Sequence, residues 1–446
     1  MSGSSAHRGP SLLAQRRVLV GTLVGTAIEW YDFFIYASVA ALVFGSAYFA
    51  PLGADNATLA QLVALGSIGI SFLFRPLGAI VAGHLGDRIG RKRVLVFTLL
   101  LMGGATAAIG LLPTYAAIGV WAPVLLIVLR MVQGFSAGGE WGGAALMAVE
   151  HAPTGRRGLF GAYPQLGVPI GMLGASLMLT TLTAVLTPEQ FAAWGWRIPF
   201  LISVVLIGVG HLIRRTVDES PVFEEIRARQ GQSSAPLRQL VARHPKTVVQ
   251  CALIFVGSSA AGYLLIAFLT SYATRTVGLD RTAVLAVTSL ASAAWIGTTL
   301  FGGVLSDRVG RVRAFQIGYA ALIVWIVPMF LLVDTGNIVC YALAVLLLTP
   351  GIGIAYGPMS AMFAEMFPAQ VRFSGVSIGY ALGAVLGGAF AALIAQALID
   401  ATGWSPSVGL YVIALSVVSL IALATVSEPR GAALGADVES SVPATS

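Results

Sequence analysis

Six ionisable side chains fall inside otherwise apolar stretches of this 446-residue chain: Glu29, Asp32, Arg75, Arg130, Glu140 and Glu365. At the centre of a hydrocarbon layer each costs roughly 2.5–3.5 kcal/mol on insertion scales, so such groups persist by pairing or by lining a wet cavity. Glu29, Asp32 and Tyr36 are spaced i, i+3, i+7 and share one face of a helix. Arg130, Gln133 and Glu140 form a rough stripe on another. A buried carboxyl group beside a guanidinium is balanced between its neutral and ionised forms, so a small movement of the partner loads or releases a proton. Five of the six lie in the first half of the chain; the second offers mainly uncharged polar groups, among them Tyr263, Trp295, Gln316, Tyr356 and Gln396. Proton chemistry is therefore expected in the first half, with aromatic and hydrogen-bonding walls from the second. The competing reading is a set of static ion pairs that fix helix register. For Arg75, which precedes Pro76, helix bracing competes with binding of a carboxylate.

Other chemistries find no support. The five histidines show no metal-ligand spacing. Cys251 and Cys340 make no disulfide framework. The glycines between 134 and 139 lie in an apolar run with no strand before them, which excludes a nucleotide loop.

The elements that hold these residues are membrane spans. Apolar residues make up 57% of the chain and charged ones 10%, with a mean hydropathy of +0.87; a soluble domain carries about a quarter charged residues. Apolar segments fall at about 18–45, 58–83, 94–112, 120–148, 158–183 and 197–213, then at 247–273, 282–304, 314–333, 339–366, 374–399 and 407–426. The expected fold is an all-α polytopic membrane protein of twelve transmembrane helices in two six-helix bundles, 16–213 and 247–426. The tails, 1–15 and 427–446, are expected to be disordered. The interval 214–246 is a linker in which Ser220 and Pro221 start a helix that turns Val222, Phe223 and Ile226 to one side. With the N-terminus inside, 21 of the 26 Lys and Arg fall in inner segments and only Arg197, Arg275 and Arg281 outside, so both termini are expected to be cytoplasmic. The net charge of +7 is thereby explained without a nucleic-acid partner.

Two motifs occur twice. Gly83-His84-Leu85-Gly86-Asp87-Arg88-Ile89-Gly90-Arg91-Lys92-Arg93 is echoed by Gly303-Val304-Leu305-Ser306-Asp307-Arg308-Val309-Gly310-Arg311-Val312-Arg313, and Glu150 with Arg157 is echoed by Glu365 with Arg372. Repeated halves around a midplane site are a common plan for secondary transporters. Rows of glycine at 134, 138, 142 and at 375, 379, 383, 387 suit close helix packing.

The doubled loop resembles the signature of the major facilitator superfamily. Gly25-Thr26-Ala27-Ile28-Glu29-Trp30-Tyr31-Asp32-Phe33, Arg75-Pro76-Leu77-Gly78, Arg130-Met131-Val132-Gln133-Gly134-Phe135 and Glu219-Ser220-Pro221-Val222-Phe223 are similar to its metabolite:proton symporter branch. The resemblance implies a monomeric, bacterial inner-membrane importer that works by alternating access. It would couple protons to a di- or tricarboxylate, an oxoacid or a shikimate-like ring acid, with no cofactor but the proton. A proline- or betaine-type osmolyte symporter and a drug:proton antiporter are the alternatives. The resemblance further implies that Asp32 faces Arg130. Read from the residues themselves, Glu29 is a further proton site or a hydrogen-bond partner of Trp30 and its neighbours, and Glu140 a proton relay or a partner of the loop arginines. Tyr36, Arg75, Gln133, Gln165, Tyr263, Trp295 and Tyr356 are the candidate substrate contacts. Gly83, Asp87, Arg88, Gly90, Arg91, Asp307, Arg308 and Arg311 would form a cytoplasmic gate. The cluster Trp30, Tyr31, Phe33 and Tyr36 is a possible cage for a quaternary ammonium group.

Overall fold

In the computed structural model the described residues are 12–49, 57–230 and 236–435. They contain twelve helices long and apolar enough to cross a membrane: α1 Leu12–Val39, α2 Ala57–Ile89, α3 Arg91–Leu111, α4 Trp121–Glu150, α5 Thr154–Val185, α6 Gly195–Arg215, α7 Pro245–Arg275, α8 Arg281–Val309, α9 Arg311–Val333, α10 Ile338–Met366, α11 Arg372–Thr402 and α12 Pro406–Ala424. Within the first half α2 packs on α4 and α1 on α5; within the second, α8 packs on α10 and α7 on α11. The halves meet along two seams, α2 against α11 and α5 against α8. Under the sequence repeat these seams exchange, so the joint is itself twofold. The glycine rows lie in such packing: a Cβ on Gly387 would collide with the backbone of α7 at Val256.

Among the described residues three π-helical turns occur: Ala40–Phe44 after α1, Leu264–Phe268 inside α7 and Val385–Ala389 inside α11. Such turns widen the helix and leave backbone groups loosely paired, and they concentrate at functional sites. Two of them occupy equivalent places in the first helix of each half.

The linker helix Pro221–Gln230 begins as expected, with the Phe223 backbone N–H donating to the Ser220 hydroxyl at 3.3 Å. Val222 and Phe223 are buried, and the Phe223 ring lies 4.9 Å from the Arg91 guanidinium; the Ile226 side chain lies outside the described residues. The tails differ from expectation where they are described. Residues 12–15 belong to α1. Beyond α12, Arg157 and Arg372 donate to the carbonyls of Ala432 and Leu434, and Leu434 is buried, so bonds to backbone order a stretch of unremarkable sequence. Residues 1–11 and 436–446 lie outside the described residues.

Candidate functional site

Asp32 on α1 and Arg130 on α4 are both fully buried, yet they do not touch. The Asp32 carboxylate accepts from Thr106 on α3 at 2.8 Å and from Ser203 on α6 at 2.6 Å. Gln133 Nε2 donates to the Thr106 hydroxyl oxygen at 2.7 Å, and Arg130 donates to Gln133 Oε1 at 2.8 Å. The direct ion pair expected from sequence is replaced by a chain running Asp32, Thr106, Gln133, Arg130. The reason is local competition. The Arg130 guanidinium lies 3.7 Å from the centre of the Tyr36 ring and reaches the Ile68 carbonyl at 3.4 Å, while two hydroxyls satisfy the carboxylate. Tyr36 in turn hydrogen-bonds Ser67 at 2.6 Å. The Thr106 hydroxyl has one hydrogen and two acceptors, Asp32 and the Met102 carbonyl at 3.0 Å, so its orientation depends on whether Asp32 needs a donor.

Arg75 on α2 occupies a different environment. Its guanidinium lies 4.6, 5.6 and 5.8 Å from the ring centres of Phe72, Trp30 and Phe33, and it donates to the Tyr263 hydroxyl of α7 at 3.3 Å. Among the described residues no carboxylate is within ion-pair distance of it, and its Nε has no partner at all. The expected four-residue cage is corrected here. Trp30 and Phe33 do face one cation, but Tyr36 covers Arg130 and Tyr31 donates to the Pro199 carbonyl at 3.2 Å.

Across the seam a second aromatic layer assembles. Tyr380 stacks on Trp141 at 3.6 Å and on Phe255 at 4.6 Å, and its hydroxyl meets that of Tyr356 at 3.3 Å. Gln165 accepts from Trp141 Nε1 at 2.7 Å and donates to the Tyr356 carbonyl at 3.4 Å. The Trp295 ring is 6.4 Å from Tyr356, and its buried Nε1 has no partner. Gln165, Tyr263, Trp295 and Tyr356 therefore converge with Arg75 on one central region, while Tyr36 and Gln133 belong to the Asp32 network. Gln316 and Gln396 are exposed on the outer surface and line nothing. Sequence reasoning missed Phe72, Thr106, Trp141, Ser203, Phe255 and Tyr380; hydroxyl and aromatic residues are too common in apolar helices to stand out, although Trp141 adjoins Glu140.

Glu140 does not reach the Asp32 chain. It forms a buried ion pair with Arg214 and accepts from Thr98 at 2.8 Å. Glu29 faces a small cavity shared with Asp32 and Glu140, and one of its oxygens has no partner.

At the arginine-rich end the two halves mirror each other. Asp87 accepts from the backbone N–H of Phe373 and Ser374, at 3.1 and 2.9 Å, at the start of α11. Asp307 accepts from Gly158 and Leu159, at 2.7 and 2.8 Å, near the start of α5. Each carboxylate thus caps a helix of the opposite bundle, where the helix dipole favours negative charge. Behind them, Glu150 takes Arg91 at 3.6 Å and Arg372 at 3.2 Å; Glu365 takes Arg311 at 2.9 Å and Arg157 at 3.3 Å. The Asp87, Asp307, Glu150–Arg372 and Glu365–Arg157 contacts tie the two bundles together at that end. Gly83 allows the approach, because a Cβ there would fall 2.6 Å from the Ser374 Cα. Gly90 and Gly310 turn the chain with φ of +108° and +102°. Arg88 and Arg308 stand apart: neither side chain is in an ion pair among the described residues, and Arg308 is exposed and contributes only its carbonyl, to Arg430. A further matched pair escaped the sequence reading. Glu219 accepts from the backbone N–H of Arg91 at 3.1 Å, and Glu428 from that of Arg311 at 2.8 Å, capping α3 and α9.

The sequence profile of the Major Facilitator Superfamily matches residues 22–385. The inner membrane metabolite transport protein YhjE of Escherichia coli (strain K12) is 40% identical over 422 residues, covering 94% of this chain and 95% of that protein. The shikimate transporter of the same organism is 37% identical over 414 residues, covering 92% and 94%. Among solved structures, the proton:xylose symporter XylE bound to 6-bromo-6-deoxy-D-glucose superposes with a TM-score of 0.76 at 16% identity, covering 95% of this chain and 98% of that one, which shows the fold. A dozen buried-polar spans, a doubled interlocking loop and these likenesses agree: the chain belongs to the major facilitator superfamily and is a multi-pass metabolite transporter, not an enzyme.

Proposed function

We propose that this protein imports a small organic acid together with protons across a bacterial inner membrane. In this reading it is a monomer with both termini in the cytoplasm, and it uses no cofactor. The arginine-rich end is then the cytoplasmic gate, in its closed state. The observation that carries the reading is Arg75: a buried guanidinium without a carboxylate partner, walled by rings from both bundles. Glu29 acts on this cation only beyond contact distance and Tyr263 offers it a neutral acceptor, so a substrate carboxylate would supply the contact ion pair it lacks. One such cation favours a monocarboxylate over the di- and tricarboxylates that the resemblance also allows. Gln165 and the free Trp295 N–H offer hydrogen bonds to hydroxyl groups on the rest of the solute.

Asp32 is the proton site. When ionised it holds the Thr106 hydroxyl; when protonated it releases it to the Met102 carbonyl, and the change reaches Arg130 through Gln133. A monoanion moving with one proton is electroneutral and is driven by the pH gradient alone, about 1.4 kcal/mol per unit. Uptake into proteoliposomes with imposed pH or voltage gradients tests this: monocarboxylate accumulation should follow the pH gradient, and uptake insensitive to both would sink proton coupling.

The rings around Arg75 favour one other reading, a betaine-type osmolyte, whose carboxylate would meet Arg75 and whose ammonium group would meet an aromatic face. That solute would also respond to voltage, about 2.3 kcal/mol per 100 mV. A thermal-shift screen of purified protein against ring acids, dicarboxylates and betaines separates the classes.

A further inference from the structure

Arg214 is the penultimate residue of α6 and is within reach of the polar loops at that end of the molecule, where its neighbour Arg215 is exposed. Instead it turns back into the first bundle. Its guanidinium is buried, bonds both oxygens of Glu140, and donates to the Leu95 carbonyl. Gly25 on α1 leaves room for it, since a Cβ there would overlap the guanidinium. The pair divides two small cavities. One, of about 10 Å³, is lined by Asp32, Glu29, Thr98 and Glu140. The other, of about 20 Å³, is lined by Val18, Thr22, Arg214 and Lys92 and leads toward the arginine-rich end. A void of 10–15 Å³ is enough for one water where polar partners line it. The unpartnered oxygen of Glu29 is such a partner.

We infer that the Arg214–Glu140 pair is the plug of a proton passage through the interior of the first bundle, separate from the aromatic route taken by the solute. The inference rests on the proton-coupled reading above. The Asp32 O–H bond breaks as its proton moves, by way of a water beside Glu29, to a carboxylate oxygen of Glu140. Neutral Glu140 loses its hold on Arg214, the guanidinium swings into the lower cavity, and the proton leaves to water beside Lys92. Glu140, ionised again, recaptures Arg214. Arg214 is thus a positioning residue, and the competing role is a static brace between α3, α4 and α6.

Reconstituted full-length protein distinguishes the two. The double variant Glu140→Gln/Arg214→Gln removes both charges; Gln matches Glu in shape and is shorter than Arg. Labelled-solute counterflow, which needs no net proton movement, should stay within about twofold of the parent. Solute-driven proton flux, read by a trapped pH dye, should fall at least tenfold. Parent-like proton flux in the double variant overturns the passage. If that variant does not fold, Val18→Phe fills the lower cavity without touching a charge; it should slow proton flux several-fold with counterflow intact, and unchanged flux overturns the proposal. A parent protein that moves solute without protons defeats the proton-coupled reading itself, a distinct outcome.

Discussion

The arginine-rich end and the buried middle of this molecule are built on opposite principles. At the end, every important group has a counterpart half a chain away: Asp87 and Asp307, Arg91 and Arg311, Glu150 and Glu365, Arg372 and Arg157, Glu219 and Glu428. In the middle the symmetry is gone. Asp32, Glu29, Arg75, Arg130 and Glu140 all belong to the first half, and the second contributes rings and hydroxyls. Closing a mouth between two bundles is a task both share, so duplicated parts can serve it unchanged. On the proton-coupled reading, handling the proton is a task for one place, and a second charged network would add the cost of burial without a matching gain.

The sharpest way to break this contrast is in the unmatched middle. Asp32→Asn should reduce uphill accumulation by a hundredfold or more while counterflow remains measurable; persistence of accumulation would remove Asp32 as the proton site. Next come the matched acids. Glu150→Gln and Glu365→Gln each leave buried arginines short of a partner, an effect of about 3–5 kcal/mol. Both should open the arginine-rich end to a similar degree, read by labelling of a cysteine introduced at Ser374. A silent response in one half would show the duplication to be formal only. Arg75→Ala removes a charge-assisted contact worth about 1.5–3 kcal/mol. Binding of the acid by calorimetry should therefore weaken roughly 10- to 150-fold, with Arg75→Lys in between. The smallest effects belong to the caps: Glu219→Ala and Glu428→Ala should each cost about 1 kcal/mol, seen as matching drops in melting temperature.

Much of this was legible in the sequence because charge is rare in apolar runs and repeats are easy to see. The spans, the doubled loop and the buried acids followed from those two signals. What was not legible depended on reach. Arg214 reads as a loop charge because a helix-terminal side chain can extend either way, and only the space left by Gly25 decides which. The direct Asp32–Arg130 pair failed because Thr106 and Ser203, hydroxyls that carry no pattern, satisfy Asp32, while the Tyr36 ring, whose register was legible but whose partner was not, takes Arg130. The order beyond α12 was invisible because it is made by backbone carbonyls, which every sequence has.

That last stretch has a practical consequence. Arg157, from one bundle, and Arg372, from the other, each hold one carbonyl of the same short irregular segment. On the proposed alternating-access reading those arginines separate when this end opens, and the segment must let go of at least one. A fluorophore placed just past residue 435 would therefore ride with a single bundle in each turnover and report the opening stroke as it happens.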